Sequence, residues 1–258
     1  MFDDFINLIK GGFEDLGIEV VVDKDMFSDE HVTIIFGAFN LTDDYAELLP
    51  PKTIIFNTEA LNTKDPARRV WDNKVIHFAK HFEVWDYSKN NTEYLKSINS
   101  KNTKHFQLGY HKNLEDVQKN NPKDIGLFYG ATSSRRLFIL DQLKDKVIIK
   151  NSTFGKARAK LIAEAKAVLS IHATDCSILE YMRIVHLMAN KKVVVAEVND
   201  DTEVGIDILD GIVPCKYSNI VSTFNSVLDT KDLNTLENKA YETIIKYPQH
   251  EFLSRVLD

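Results

Sequence analysis

Residues 165–197 read AKAVLSIHATDCSILEYMRIVHLMANKKVVVAE and carry the clearest architectural signal in the chain. Two apolar runs rich in β-branched residues, Ala167–Ile171 and Lys192–Ala196, flank a segment with helical spacing, Ile178–Ala189. A buried strand, a helix and a second buried strand form a βαβ unit in which both strands run parallel. The stretch therefore predicts an α/β protein built on a parallel sheet.

The same alternation extends over the rest of the second half of the chain. Upstream, the predicted elements are a strand at Ile125–Tyr129, a helix capped by Ser133 or Ser134 that ends near Lys144, a strand at Lys146–Ile149 and a helix at Lys156–Ala165. Downstream, they are a strand at Ile212–Cys215 and helices at Asn219–Leu228 and Leu233–Lys246. Repeated βαβ units with right-handed crossovers predict a doubly wound layer.

The first half has a weaker form of this pattern. Apolar residues recur at steps of three and four over Phe2–Leu16, which predicts a helix that Gly11-Gly12 weakens and Gly17 ends. A second helix is predicted between Asn90 and Ser97. Short β-branched and aromatic runs predict strands at Ile18–Val22, Val32–Phe36, Thr53–Phe56, His81–Trp85 and His105–Leu108.

The polar stretch Asn113–Lys123 is the best candidate for a linker, because it contains Asn120-Asn121-Pro122. It divides the chain into residues 1–119 and 120–258, and each part has the length of an ordinary domain. We therefore predict an α/β fold of two Rossmann-like domains, whose mainly parallel sheets face each other across a cleft. The last helix is free to pack back on the first domain.

Composition and charge narrow the function classes. The 258 residues are 44% hydrophobic and carry a net charge of −6, which suits a globular protein and argues against a general nucleic-acid binder. Cys176 and Cys215 are far apart and form no CxxC, so neither a zinc ribbon nor a disulfide framework is expected. No run of about 18 apolar residues predicts a membrane span, and the first residues lack a basic leader. We expect a cytoplasmic protein, or one in the host cytoplasm if it is viral.

Several common motifs are absent, and others are incomplete. The sequence has no GxGxxG and no GxSxG, and Lys150 stands where a phosphate-binding loop ending in Gly155-Lys156 would need a glycine. His77 and His81 have a chelating spacing but lack the glutamate of HExxH, so a surface pair is the favoured interpretation. Asp23-Lys24-Asp25 is interpreted as an acidic turn rather than a metal-holding DxD. We therefore expect no metal and no cofactor.

Polar residues follow the strand predicted at Ile125–Tyr129. Gly130 would let a ligand come close to the backbone, and Ser133 and Ser134 can cap the next helix. Arg135 and Arg136 add two permanent charges that could bind a phosphate or a carboxylate. The alternative is a capped surface helix with two solvated arginines.

Two later strands also end in polar residues. His172 follows one of them, and Glu197 ends the next. Between them, Glu180 and Arg183 lie one turn apart in the predicted helix. Each has an ordinary structural alternative, such as a loop histidine or a helix-dipole acid. Because carboxyl ends of parallel strands share one edge of a sheet, the three strand ends together predict a common pocket.

These stretches resemble sugar-nucleotide glycosyltransferases of the GT-B type, in a bacterial or viral polysaccharide branch. The resemblance rests on GLFYGATSSRRLFILDQL at Gly126–Leu143 and on the stretch from Ala165 to Glu197. In the first half, IIFNTEAL at Ile54–Leu61, EVWDYSKNNTEYL at Glu83–Leu95 and LGY at Leu108–Tyr110 are similar to segments of the same family.

The resemblance implies that the second domain binds a nucleotide-sugar donor and the first binds the acceptor. Glu180 would hold the ribose, while Arg135, with Arg183 or Lys156, would offset the charge that builds on the leaving phosphate in place of a metal. An inverting reaction would also need a base that accepts the proton of the acceptor hydroxyl, and Glu59 is the first candidate for it and Asp86 the second.

The function predicted on this basis is a metal-independent transfer of a sugar to a glycan or to a lipid-linked or protein-linked acceptor. A catalytically idle nucleotide- or carbohydrate-binding module and a sugar-nucleotide epimerase stay open as alternatives. No nucleic-acid partner is expected, and a homodimer stays open.

Overall fold

Two parallel sheets organise the protein. The computed structural model describes residues 2–24, 27–63, 69–118, 120, 122–174 and 178–257. The first sheet has the order β1-β2-β3-β4, with strands Thr33–Phe36, Thr53–Asn57, Glu83–Asp86 and Asn102–His105. The second has the order β6-β5-β7-β8-β9, with β5 at Lys123–Tyr129, β6 at Val147–Lys150, β7 at Ala165–Ser170, β8 at Val193–Glu197 and β9 at Val213–Cys215. Neighbouring strands pair in parallel throughout both sheets, which confirms the predicted fold class.

Helices cover the faces of both sheets. The first lobe consists of β1–β4 with α2 at Tyr45–Leu48, α3 at Arg69–Ala79 and α4 at Lys89–Ser97. The second lobe consists of β5–β9 with α5 at Ser134–Leu140, α6 at Gly155–Glu164, α7 at Tyr181–Ala189, α8 at Ile220–Leu228 and α9 at Leu233–Ile244. Two further helices, α1 at Asp3–Asp15 and α10 at Gln249–Leu257, pack against each other. The predicted boundary between residues 119 and 120 stays a prediction.

Helix α1 contacts both lobes. The Phe5 ring lies 5.7 Å from that of Phe56 and 6.2 Å from that of Tyr87, both in the first lobe. The preceding residue of the same helix, Asp4, accepts a 2.5 Å hydrogen bond from Arg158 of α6 in the second lobe. The apolar contacts and the partly buried ion pair therefore fix α1 across the junction of the lobes.

The glycine pair that was expected to weaken α1 is instead a packing requirement. A Cβ atom on Gly11 would lie 2.0 Å from Nδ1 of His111, and one on Gly12 would lie 2.5 Å from Cδ1 of Leu253. Each glycine costs the helix about 1 kcal/mol of propensity. The close approach of α10 and of the segment between the sheets offsets that cost.

Two predicted strands are wrong. The described residues 18–22 form no strand: Val21 is 78% exposed, and no described strand pairs with this run. The strand expected at His105–Leu108 lies earlier, at Asn102–His105, because β4 pairs with β3 from Asn102 opposite Glu83 to His105 opposite Asp86. Helix α3 was not predicted at all, although Val75, Phe78 and Ala79 form its buried stripe.

The predicted linker is firmly attached to the second lobe where it is described. Asp116 forms a 2.6 Å contact with the buried His186 of α7, and the Val117 amide donates to Asn190 at 2.9 Å. Partial burial raises the pKa of Asp116, but the hydrogen bond to His186 and the charges of His186 and Arg158 together keep it below its ordinary value. The polar composition of this segment therefore reflects specific contacts as well as solvation.

Candidate functional site

A cavity of about 280 Å³ lies between the lobes, at the carboxyl ends of strands from both sheets. Its first-lobe wall follows β2 and β3 and consists of Thr58, Glu59, Ala60 and Tyr87, together with Phe5 of α1. Its second-lobe wall consists of His172, Ala173 and Thr174 after β7 and of Ile178, Leu179, Glu180, Tyr181, Met182 and Arg183 around the start of α7. Open α/β sheets bind ligands at this edge.

Glu180 is the centre of an ion cluster in the second-lobe wall. Its carboxylate accepts a short hydrogen bond from Arg136 and forms a short ion pair with Arg183. The helix begins at Tyr181, three residues later than the predicted start at Ile178, so Glu180 is the N-cap residue of α7 and not a member of its first turn. One carboxylate and two guanidinium groups give the cluster a net positive charge.

The two arginines of this cluster have different tasks. Arg136 is almost fully buried and donates to the backbone carbonyls of Ile171 at 2.8 Å and Ala131 at 2.7 Å. Arg183 lines the cavity, and its guanidinium lies 4.8 Å from the centre of the Tyr129 ring. Arg136 thus joins the loops, whereas Arg183 contributes to the surface of the cavity.

Gly130 gives the arginines room at the end of β5. Its φ of +131° lies in a region that L side chains rarely adopt. A Cβ atom there would lie 2.8 Å from Nη2 of Arg183 and 3.8 Å from Nη1 of Arg136. The predicted close approach to Gly130 is therefore made, in this structure, by the guanidinium groups.

Arg135 and Glu197 form a pair behind the cavity. Arg135 binds both carboxylate oxygens of the fully buried Glu197, at 2.7 Å for one of them, and its guanidinium stacks on Tyr217 at 3.8 Å. Burial alone would raise the pKa of Glu197, but the hydrogen bond from Arg135 and the nearby His172 lower it below its ordinary value. The pair is a structural support and does not line the cavity.

This pair holds the loop that carries His172. The His172 amide donates to Glu197 at 3.0 Å, and Arg135 donates to the His172 carbonyl at 3.2 Å. Ser133 contributes by donating its hydroxyl to the Ala173 carbonyl at 2.7 Å while it caps α5. The His172 ring, which is only 2% exposed, therefore lies at a fixed position in the cavity wall.

The remaining second-lobe candidates lie elsewhere. Ser134 and Lys156 are exposed in the first turns of α5 and α6 and do not line the cavity. The structure thus brings His172, Glu180 and Arg183 together in one wall, places Gly130, Ser133, Arg135, Arg136 and Glu197 directly behind it, and leaves Ser134 and Lys156 outside.

On the first-lobe side, Glu59 lies in the cavity wall on a loop that two buried amides hold. Asn57 donates to the Glu59 carbonyl at 2.8 Å and accepts from the Glu59 amide at 3.2 Å. Asn91 of α4 donates to the same carbonyl at 2.8 Å and accepts from the Leu61 amide at 2.9 Å. The sequence analysis missed both asparagines as site residues, although each lies in a segment that carries the family resemblance.

Asp86, the second candidate base, is completely buried and lies behind this loop. It accepts hydrogen bonds from Asn57 at 2.6 Å, from Asn91 at 3.0 Å and from the Ser88 amide at 2.8 Å. Burial raises its pKa to about 7, against the effect of these hydrogen bonds. Asp86 therefore has no surface in the cavity through which it could meet an acceptor directly.

The two lobes also contact each other beside the cavity. Glu203, from the loop after β8, accepts hydrogen bonds from the Ser88 hydroxyl at 2.6 Å, the Lys89 amide at 2.5 Å and the Asn90 amide at 3.2 Å. A carboxylate at the start of a helix satisfies free amides and interacts favourably with the helix dipole. Glu203 belongs to an acidic run that the sequence analysis did not single out.

The motifs that the sequence analysis set aside lie apart from the cavity. His77 lies on α3, where its Nε2 is 3.1 Å from the carbonyl of Asp43 and its ring is 5.2 Å from that of His81. Asp23 follows the residues that form no strand, and Asp25 lies outside the described residues. Across the described ranges, no helix combines the length and the hydropathy that a bilayer span requires.

Solved structures with this arrangement define the class of fold. Anabaena Alr3699/HepE in complex with UDP and glucose superposes with a TM-score of 0.58 at 15% identity, over 95% of this chain and 87% of that chain. AviGT4, a glycosyltransferase involved in avilamycin A biosynthesis, gives 0.57 at 12% identity, over 98% and 86%. An alpha-glucosyltransferase in complex with UDP-glucose and DNA containing an abasic site gives 0.61 at 10% identity, over 97% and 83%. The fold is that of the GT-B sugar-nucleotide glycosyltransferases, as the resemblance implied.

Sequence comparison gives the family. The chain is 30% identical over 267 residues to protein L140 of Acanthamoeba polyphaga mimivirus, which covers 98% of this chain and 79% of L140. Protein R358 of the same virus is 33% identical over 175 residues, covering 64% of this chain and 60% of R358. This chain belongs to the same protein family as L140. No protein-family model matches it.

Proposed function

We propose that this protein is a glycosyltransferase that moves a sugar from a nucleotide-sugar donor to a hydroxyl group of an acceptor. The observation that carries the proposal is the arrangement of one cavity between two GT-B lobes, with an acid and a cation on the second-lobe wall and an acid on the first-lobe wall. A transfer between two substrates needs groups of these kinds on opposite sides of the reacting carbon.

The second-lobe wall suits a nucleoside diphosphate. The Glu180 carboxylate can accept hydrogen bonds from the ribose hydroxyls, and the net positive charge of its cluster favours a diphosphate. Of the three predicted arginines, Arg183 lines the cavity, whereas Arg135 and Arg136 do not. We therefore assign to Arg183 the stabilisation of the charge that develops on the leaving phosphate.

The first-lobe wall suits an acceptor hydroxyl. Glu59 is the carboxylate on that side of the cavity, and it would accept the proton as the hydroxyl attacks the sugar. Because a guanidinium supplies the positive charge, the proposed reaction requires no metal ion. The acceptor is a glycan or a lipid-linked or protein-linked hydroxyl.

The experiment is a binding and turnover measurement with UDP-glucose as the first probe and a panel of other sugar nucleotides beside it. We expect calorimetry to show binding that is lost or weakened at least about tenfold in Arg183→Gln and Glu180→Gln, a change of 1.4 kcal/mol. Arg255→Gln is the matched control, because Arg255 is an exposed arginine on α10, 4.0 Å from Glu251, and does not line the cavity.

Turnover then separates the functions. Release of nucleotide or transfer of sugar in the presence of a chelator supports the proposal, and Glu59→Gln should abolish turnover while donor binding persists. Donor binding without any turnover across acceptor panels would instead indicate a binding module. Conversion of a sugar nucleotide without an acceptor would indicate an epimerase. A complete absence of nucleotide binding would contradict the transferase, the epimerase and a nucleotide-binding module.

A further inference from the structure

The buried hydrogen-bond network behind Glu59 has one shared acceptor. Asp86 accepts from the side-chain amides of both Asn57 and Asn91, at 2.6 and 3.0 Å. None of the three side chains is exposed to solvent by more than 3%. Water therefore cannot replace these hydrogen bonds, and an amide left without its partner there would cost free energy.

The acceptor determines which way each amide points. An ionised carboxylate accepts hydrogen bonds only, so Asp86 selects the orientation in which both NH2 groups face it. In that orientation Oδ1 of Asn57 accepts from the Glu59 amide, and Oδ1 of Asn91 accepts from the Leu61 amide. A flipped amide would place donor against donor at the loop and acceptor against acceptor at Asp86.

The loop receives its position from these two amides. The Glu59 carbonyl accepts from Asn57 and from Asn91, both at 2.8 Å. Its neighbours Thr58 and Ala60 also line the cavity. A shift of the amides would therefore move the first-lobe wall relative to the ligand, and a misplacement of about 1 Å can cost about 100-fold in rate.

We propose that Asp86 is a positioning residue, which acts through Asn57 and Asn91 to hold the Glu59 loop at the reacting position. This inference rests on the proposed function, which gives Glu59 the acceptor side. It replaces the role of base that the sequence analysis considered for Asp86, since Asp86 has no surface in the cavity.

Asp86 itself gives the network a pH dependence, because burial raises its pKa to about 7. Glu203 faces it from the second lobe and disfavours its ionised form. His105 on β4 pairs in register with Asp86. Lys89 is the first residue of α4, two residues after Tyr87. When Asp86 takes up a proton it loses acceptor capacity, so the hold on the amides weakens as the pH falls.

The test compares Asp86→Asn with Asp72→Asn. Asp72 is also a buried first-lobe aspartate that accepts from a backbone amide, that of Asn62 at 3.0 Å, but it has no contact with the two asparagines among the hydrogen bonds that the structure describes. We expect Asp86→Asn to lower kcat for UDP-glucose turnover about 10- to 100-fold and to leave the donor Kd within twofold of the wild type. The inflection of kcat near pH 7 should disappear. Asp72→Asn should keep the wild-type kcat and pH profile.

Amide hydrogen exchange decides the positioning role without any turnover. The amides of Glu59 and Leu61 should exchange faster in Asp86→Asn than in the wild type, and Asp72→Asn should leave them protected. Unchanged protection at Glu59 and Leu61 in Asp86→Asn, or an equal loss in Asp72→Asn, would overturn the inference. Failure of the proposed function would appear separately, as a wild-type protein that binds no nucleotide.

Discussion

Ser88 of the first lobe donates its hydroxyl to Glu203 of the second lobe over 2.6 Å, and this hydrogen bond joins segments 115 residues apart. The loop that carries Glu203 is also attached to the cavity wall, because the Ile206 amide donates to the Tyr181 hydroxyl at 2.7 Å and Ile178 forms a β-bridge with Glu203. The contact between the lobes and the predicted donor site are thus parts of one connected segment.

Removal of this contact should loosen the lobes. We expect Glu203→Ala to lower the free energy of unfolding by about 1–2 kcal/mol, because it leaves the helix amides and the Ser88 hydroxyl without their charged acceptor. Urea denaturation measures the change, and small-angle scattering should show a larger radius of gyration. Asp201→Ala, at an exposed acid two residues away, is the control and should have little effect. Equal stability of the two variants would contradict this role of Glu203.

Arg135→Ala should be among the most destabilising single substitutions in the second lobe. It leaves the carboxylate of Glu197, whose side chain is 0% exposed, without its cation, at a cost of about 3–5 kcal/mol. Since the pKa of Glu197 is lowered in the folded state, the stabilisation is present above the ordinary value of 4.5 and is lost as the pH falls below it.

Chemical denaturation at pH 7 and pH 4 checks both parts of this prediction. The difference in stability between the wild type and Arg135→Ala should shrink at the lower pH. The exposed pair of Lys216 and Asp200 provides the control, and Lys216→Ala should change the stability by less than about 1 kcal/mol. A loss of stability of similar size in Arg135→Ala and Lys216→Ala would contradict the prediction that the buried pair stabilises the fold more than the exposed pair does.

Gly130→Ala should weaken donor binding directly, in addition to any loss of stability. The new methyl group would lie 2.8 Å from Nη2 of Arg183, so the guanidinium would have to leave its position in the cavity wall. We expect the Kd for UDP-glucose to rise about tenfold. Gly17→Ala also places a side chain at positive φ, +74°, but with no atom within 4 Å among the described residues, and should cost stability alone. Wild-type affinity in Gly130→Ala would remove Arg183 from the donor site.

The ionisation of Asp86 should destabilise the fold as the pH rises. Its pKa is raised from 3.8 to about 7, so between these values the folded state binds a proton that the unfolded state has lost. Stability contributed by the neutral form is therefore complete below about pH 4 and falls up to about pH 7, by at most about 1.4 kcal/mol per pH unit. The stability of Asp86→Asn relative to the wild type should increase from pH 5 to pH 8, and a constant difference over this range would contradict the raised pKa.

Local sequence patterns predicted most of the second lobe. The strands β5 to β9 and the helices between them lie within a few residues of their predicted positions, because a parallel strand buried on both faces is a continuous apolar run and a helix has its own period. The pairing of Glu180 with Arg183 could also be predicted from the sequence, since residues three apart at a helix are neighbours.

Predictions failed where a segment depends on what covers it. The run Ile18–Val22 has the composition of a strand, but it is mostly exposed and pairs with no strand in the described part of the chain. Asp86 has the sequence context of a residue at a strand end, yet packing of α4 over β3 buries it entirely. β-propensity reports how a side chain fits a pleated surface and does not supply that surface.

The sequence by itself determined the alternation of elements, the parallel sheets and the acid, cation and glycine at the ends of the strands, because all of these follow from spacing over a few residues. Only the tertiary structure decided the partners of those side chains. Arg135 meets Glu197 across 62 residues and Asn57 meets Asp86 across 29. Such contacts form when distant strands align in one sheet, and they leave no periodic trace in the sequence.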